Sequence, residues 1–310
     1  MGLKAGLTGA FLAIAASFAW SAPAAANAPP AASAPAESSA PPRPAIWLLA
    51  DEDTQIFLFG TVHILPPGLV WRSADLERVI AEADELVMEV GEDPAAMDQA
   101  ALFLPMMMDK SVSILERVSP ERREPLRRMI ETSGLPMEAY DRMHIWAAAL
   151  MLAGAAIREA YLDPSAPAQT LSGVEDSLRT DFERTQRPIS GVESAEQQLG
   201  FFSALPLSSQ RRFLESMIDA YLEGDVGFEP EESGWLGGDV EALGEEMAQL
   251  PPDLFEALIT RRNAAWTDWL VTRLESPGEV LFAVGAGHLA GRDSLQTMLA
   301  ARGLTVRRLH

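Results

Sequence analysis

The sequence predicts an α/β fold in which a mostly parallel mixed sheet is flanked by helices and carries a helical insertion. Two strand-like apolar runs each end in a glycine that stands three positions before a histidine: 57–60 leads to His63, and 281–285 leads to His288. Between them, strand and helix patterns alternate, which is the order that builds parallel sheets. The stretch from 94 to 162 shows helical patterns throughout, and we expect it to be the insertion.

A hairpin opens the predicted sheet. The apolar stretch 45–50 and the run that ends at Gly60 lie on either side of the turn Asp51–Asp53. Two such runs joined by a short turn are typical of an antiparallel pair. Later parts of the chain contribute predicted strands at 187–193, 280–285 and 305–309, and predicted helices at 145–157, 173–186, 195–205, 208–223, 253–274 and 293–301.

A strand–helix–strand unit follows the hairpin. Ser73 is the expected N-cap of a helix over 74–83, in which apolar residues recur at helical spacing. The apolar run 85–90 is the next predicted strand. Because strands joined by a crossover helix are parallel, His63 and Glu89 are expected to leave the sheet at the same edge.

The N-terminal residues predict export. Residues 1–26 carry one charge, Lys4, followed by an apolar run and small residues, which is the order of a secretory signal peptide; an uncleaved membrane anchor is the alternative. Residues 27–44 are nearly all Ala, Pro and Ser and form a predicted linker. We therefore expect one domain over 45–310, located in the periplasm or secreted, with no stable membrane insertion after signal cleavage.

The composition excludes several classes of protein. The chain has 310 residues and no cysteine, so that a thiol nucleophile and a disulfide framework are both impossible. Its formal net charge is −21, and a negative field of this size repels the phosphate backbone of nucleic acids. We expect no nucleic-acid partner, and the oligomeric state is left open.

Four polar side chains stand where predicted strands end: those of His63, Glu89, Glu193 and His288. Ligands of open α/β sheets bind at the carboxyl edge of the strands, and neighbouring strands lie about 4.8 Å apart. Two histidines and one glutamate are a recurrent ligand set for a catalytic divalent metal ion. His63, Glu89 and His288 are therefore candidate ligands of an ion such as Mn, Co or Zn, and a second carboxylate, Glu193, is a candidate general base.

Each polar residue also has a simpler interpretation. Either glycine–histidine segment, taken alone, is an ordinary strand-to-loop turn, and Glu193 is then a cap for the helix after it. Arg261 and Arg262 are expected to be solvated on their helix, whereas Asn263 is a candidate hydrogen-bond donor into the site. His144 is expected to be a partly buried structural residue. The sequence contains no serine nucleophile elbow, no His-Glu-x-x-His motif and no phosphate-binding Gly-x-x-x-x-Gly-Lys loop.

Taken together, these residues resemble the TraB/GumN family, which includes the TIKI proteins that act on secreted Wnt signals. The resemblance covers about Ala45 to His310, with one mild departure at Val192, where we expect Leu. It rests on Gly60-Thr61-Val62-His63, Leu86-Val87-Met88-Glu89, Gly191-Val192-Glu193 with Gln197 or Gln198 after it, Gly238-Asp239, Arg262-Asn263 before Trp266, and Gly285-Ala286-Gly287-His288-Leu289 with Gly291.

The resemblance implies a metal-dependent, peptidase-like α/β fold similar to that of erythromycin-esterase and ChaN-like proteins. By this analogy His63, Glu89 and His288 act in metal binding or catalysis, and supporting roles fall to Glu193, Arg262 and Asn263. The expected function is a secreted or periplasmic metal-dependent hydrolase that cuts an amide bond of a peptide or small-molecule substrate with metal-activated water. The alternative is a non-catalytic protein that binds or sequesters a ligand, including haem, in the same cleft.

Overall fold

The strands in the described part of the chain form one six-stranded sheet. The computed structural model describes residues 41–66, 68–91, 104–106, 112–161, 172–224 and 234–309. Its strands are β1 (Ile46–Ala50), β2 (Thr54–Thr61), β3 (Glu85–Val90), β4 (Ile189–Glu193), β5 (Gly278–Gly285) and β6 (Val306–Arg308). Their order across the sheet is β4-β3-β5-β2-β1-β6.

Parallel and antiparallel pairs divide this sheet into two parts. The neighbours β4, β3, β5 and β2 are all parallel to one another, whereas β1 pairs antiparallel with both β2 and β6. The predicted hairpin and the predicted mostly parallel mixed sheet are therefore confirmed. Because β4, β3, β5 and β2 are parallel, the residues that follow them meet at one edge.

Helices flank the sheet and form most of the rest of the chain, as the α/β prediction requires. They are α1 (Ala74–Glu82), α2 (Arg123–Thr132), α3 (Met137–Asp141), α4 (Ile145–Tyr161), α5 (Val174–Arg184), α6 (Ala195–Ser203), α7 (Leu207–Glu223), α8 (Val240–Met247), α9 (Pro252–Phe255), α10 (Arg261–Arg273) and α11 (Leu295–Ala301). Ser73 caps α1 as predicted, since its hydroxyl accepts a hydrogen bond from the backbone N–H of Leu76.

The side chains of the sheet alternate between two apolar layers. In β2, Phe57 and Phe59 pack with α1 and α5 on one face, whereas Ile56 and Leu58 pack with α10 and α11 on the other. Side chains of this kind contribute about 1.5–3 kcal/mol each when fully buried. Burial on both faces explains why the central strands are continuous apolar runs.

The insertion packs with later helices in a third apolar cluster beside the sheet. This cluster is built from α2, α4, α6, α7 and the segment around α9, with the buried helix α4 in contact with α7. The described part of 94–162 contains helices and 3-10 turns but no strand, as predicted; 94–103, 107–111 and 162 lie outside the described residues. Within the described ranges, no helix combines the length and apolar character that crossing a membrane requires.

A π-helical turn interrupts the long helix that the sequence predicts over 253–274. The segment Glu256–Thr260 joins α9 to α10, and the backbone N–H of Arg261 donates to the carbonyl of Glu256, five residues earlier. Such turns add one residue to a helix and are frequent at functional sites. This one ends two residues before Arg262.

Candidate active site

The carboxyl edge of the parallel strands gathers the predicted site residues. Glu89 lies near the end of β3, and Glu193 is the last residue of β4. His63 follows β2, and His288 lies in the 3-10 turn that follows β5. Glu89 and His288 are 6 % and 4 % exposed, respectively. The edge therefore carries a buried cluster of ionisable groups.

Arg262 lies at the centre of this cluster, with 2 % of its surface exposed. Its Nη2 donates to Glu89 Oε2 at 2.5 Å and to Glu193 Oε2 at 2.8 Å, and its Nε donates to Glu193 Oε1 at 3.0 Å. Its Nη1 contacts the Leu258 carbonyl and the Nε2 of His288, at 3.3 and 3.1 Å. The guanidinium thus binds two carboxylates and one imidazole. The expectation that Arg262 is solvated is wrong, because these groups replace water around it.

Two further side chains complete the binding of Glu193. Trp266 Nε1 donates to Glu193 Oε1 at 3.0 Å, and the Trp266 ring lies under the guanidinium of Arg262, 4.6 Å from its centre. Gln198 Nε2 donates to Glu89 at 2.9 Å and to Glu193 at 3.4 Å. The cap of α6 is Ser194 rather than Glu193. The many donors around Glu193 favour a supporting role over that of a free base.

Asn263 fixes the orientation of His288. Its Oδ1 is 2.7 Å from Nδ1 of His288, while its Nδ2 donates to the backbone carbonyls of His288 and Asp293. Since the amide nitrogen is already used as a donor, Oδ1 accepts the Nδ1–H of the imidazole. Nε2 of His288 is then an acceptor, and it receives Nη1–H of Arg262. Asn263 therefore acts on His288 rather than donating directly into the site.

Burial and the charge of Arg262 shift the pKa values of the ionisable side chains in this cluster in different directions. Burial raises the pKa of Glu89, but Arg262, His288, His63 and the backbone N–H of Gly285 together outweigh burial and hold that pKa far below its usual range. Burial dominates at Glu193, whose pKa is raised. Burial and the positive charge of Arg262 lower the pKa of His288 to about 3. At neutral pH, Glu89 is therefore ionised and His288 is neutral.

His63 forms a separate pair with a carboxylate that sequence reasoning missed. Its Nδ1 is 2.7 Å from Oε1 of Glu175, on the first turn of α5. Burial lowers the pKa of His63, but the charge and hydrogen bond of Glu175 outweigh burial, so that the pKa is raised overall. The side chain of His63 is 11 % exposed. Of the two histidines at this edge, His63 is the more exposed.

Comparison with known proteins shows the family of this chain. The sequence profile of the TraB/PrgY/gumN family matches residues 45–308. The chain belongs to this family. It is also similar to the uncharacterized protein YbaP of Escherichia coli (strain K12) and to that of Shigella flexneri, with 24 % identity to each over 260 residues, which are 83 % of this chain and 92 % of each relative. No solved structure reaches a significant match.

That His63, Glu89 and His288 of this TraB/PrgY/gumN protein bind a metal ion stays a prediction. Arg262 engages the lone pair of His288 Nε2 and also contacts Glu89. Over the residues that the structure describes, no group of three acidic or histidine side chains is placed to hold an ion.

Proposed function

We propose that the protein is a hydrolase in which His63 removes a proton from a water molecule at the carboxyl edge of the sheet. The observation that carries this proposal is the His63–Glu175 pair, in which Glu175 binds Nδ1 and leaves Nε2 of the neutral imidazole as the nitrogen that can accept a proton. An imidazole held by a carboxylate is a common general base. The proton that it accepts from water can later pass to the leaving group.

The other residues of the cluster support this chemistry by fixing charge. Glu89 is close enough to His63 for its charge to raise the pKa of the imidazole, so that it stabilises the imidazolium formed during the reaction. Arg262 keeps Glu89 ionised and immobile through a charge-assisted hydrogen bond. His288, held neutral between Arg262 and Asn263, adds no competing charge.

The proposed substrate is a peptide or small molecule with an amide or ester bond, and the proposed location is the periplasm or the outside of the cell. The location rests on residues 1–26, which lie outside the described residues. Mass determination of the chain recovered from a periplasmic fraction tests this location, and cleavage close to Ala26 is the expected result. Recovery of the uncleaved chain in the membrane fraction would contradict it.

The activity is tested with the exported protein and a panel of chromogenic peptide amides and esters. His63→Asn should lower kcat by about 10²–10⁴-fold, the usual contribution of a general base. His144→Asn is the matched control, because His144 lies in the insertion, where it stacks on Trp146, and its kcat should not change. Full activity of His63→Asn would contradict the proposal, as would saturable binding of a ligand such as haem with no turnover.

A metal-dependent peptidase is the second candidate. It is favoured by the orientation of both imidazoles, since each has Nδ1 bound to an oxygen, which is typical of metal-binding histidines. Binding of an ion by His288 would then replace the Nη1–H of Arg262 at Nε2. The ion would be held by His63, Glu89 and His288, and it would lower the pKa of a bound water. Elemental analysis of the wild type and of His63→Ala/His288→Ala decides: one equivalent of Mn, Co or Zn that the double variant lacks supports this candidate.

A further inference from the structure

We infer that Glu175, held by Thr61, is the positioning residue of the active site: it fixes the tautomer of His63 in which Nδ1 carries the proton and Nε2 faces the reacting water. This inference rests on the proposed function, since it assigns Nε2 as the reacting nitrogen. It holds for a metal-free and for a metal-dependent hydrolase, because both a general base and a metal ligand need a free lone pair on Nε2.

The contacts of Glu175 converge on one oxygen. Oε1 accepts the hydroxyl proton of Thr61 at 2.5 Å and lies 2.7 Å from Nδ1 of His63. Oε2 is buried and has no hydrogen-bond partner among the described residues. A buried carboxylate oxygen without a partner is costly. The position of the Glu175 side chain therefore satisfies Thr61 and His63 and leaves the hydrogen-bonding capacity of Oε2 unused.

The backbone of α5 holds Glu175 rigidly against His63. Val174 N–H donates to the Val62 carbonyl at 2.9 Å, and Leu65 N–H donates to the Ser172 carbonyl at 3.1 Å. A Cβ at Gly173 would lie 2.2 Å from the His63 carbonyl oxygen, so that only glycine permits this approach. The start of α5 is thereby fixed to the segment that carries His63.

This geometry selects one of the two neutral forms of the imidazole. The carboxylate of Glu175 accepts hydrogen bonds and cannot donate them, so that Nδ1 of His63 must carry a proton. Nε2 is then the nitrogen with the free lone pair. Without Glu175, Nε2 can itself carry the proton, and an imidazole in that form cannot accept one from water at Nε2. A variant without Glu175 would therefore lose catalysis because His63 adopts the wrong tautomer, although the imidazole itself is still present.

The tautomer is measured directly by nitrogen-15 NMR of the histidine side chains at a pH where His63 is neutral. The wild type should show Nδ1–H at His63, and Glu175→Met, which removes the acceptor, should lose this preference. Glu175→Gln keeps an acceptor oxygen and should retain part of it. Glu183→Met is the matched control, because Glu183 lies on the same helix with its side chain 56 % exposed. A wild-type Nε2–H tautomer, or no change in Glu175→Met, would overturn the inference.

Activity provides the second readout. Glu175→Met should lower kcat by about 10²-fold with KM unchanged, since loss of the partner of a functional histidine costs 10–100-fold or more. Thr61→Val should give a smaller loss in the same direction, and it substitutes for Glu175→Met if that variant does not fold. A wild-type protein without hydrolase activity refutes the proposed function, while the NMR result still decides the tautomer. Full activity in Glu175→Met with an active wild type refutes the positioning role alone.

Discussion

Replacing Arg262 with methionine tests the central feature of the site, which is one buried cation between two carboxylates. Arg262→Met keeps a long side chain but removes every hydrogen bond of the guanidinium to Glu89, Glu193 and His288. The variant leaves two carboxylates in a buried environment with Gln198 as their remaining shared donor. We expect a large loss of stability, because unpaired buried charges are expensive.

The size of the loss follows from the burial of the partners. Removing one partner of a buried ion pair costs about 3–5 kcal/mol, because the remaining charge is left desolvated. In a domain of this size, about 1 kcal/mol corresponds to a shift in Tm of about 2–4 °C. Arg262→Met should therefore lower Tm by about 6–20 °C. Two carboxylates lose the same partner, so we expect the upper half of this range.

The loss of stability in Arg262→Met should also depend on pH, and the ionisation of the carboxylates determines whether it grows or shrinks as the pH rises. In the wild type, Arg262 lowers the pKa of Glu89, so that the stability from its ionised form is present above its ordinary pKa and is lost as pH falls through the lowered value. Without Arg262, burial raises the pKa of Glu89, and its ionised form destabilises the fold. The stability difference should thus be widest near pH 8 and should shrink toward pH 5.

Urea unfolding at pH 8 and at pH 5 measures this difference. Arg261→Met is the matched control, because the Arg261 side chain is 71 % exposed and forms a single surface ion pair with Glu256, which is worth at most about 1 kcal/mol. A free energy of unfolding of Arg262→Met within about 0.5 kcal/mol of that of Arg261→Met at pH 8 would contradict this prediction. A difference that is the same at both pH values would contradict it as well.

Two further predictions concern His288 and the glycines around the site. His288 stays neutral in the fold, with a pKa of about 3. Because an unfolded histidine takes up a proton below about pH 6.5, the free energy of unfolding falls as the pH drops below that value. Between about pH 6.5 and about pH 4.5, urea unfolding of the wild type should show a loss about 2–3 kcal/mol larger than that of His288→Asn. Gly173→Ala should cost about 1–3 kcal/mol, because its Cβ meets the His63 backbone, whereas Gly287→Ala should cost less, because its Cβ meets the flexible end of Met247; equal Tm losses would contradict this.

The fold could be predicted because its signals are local. The strands before His63 and His288 are short apolar runs that end in glycine, and a run of this kind needs no knowledge of distant residues. Parallel neighbours share one carboxyl edge, which is why Glu89 and Glu193 could be placed beside each other from their positions alone. The edge of the sheet thus follows from topology.

The contacts within the site could not be predicted in the same way. Arg262 is 173 residues from Glu89 and 69 from Glu193 along the chain, and a charged residue on a helix gives no local sign of burial. Glu175 is 114 residues from Thr61. The signal that could have found Glu175 is the glycine two positions before it, at a helix start. The close approach of Gly173 to His63 becomes visible only when the two segments are placed together.

The π-helical turn of Glu256–Thr260 constrains which length changes this protein can tolerate. Each residue of a helix advances the chain by about 100° around its axis. If one residue of this turn were deleted and the helix closed into a regular α-helix, the parts before and after it would rotate relative to each other by that amount. Either Leu254 and Phe255 would leave the apolar cluster of the insertion, or Arg262 and Trp266 would leave the carboxylates. Homologues that keep both contacts should therefore keep the length of this segment while its side chains vary.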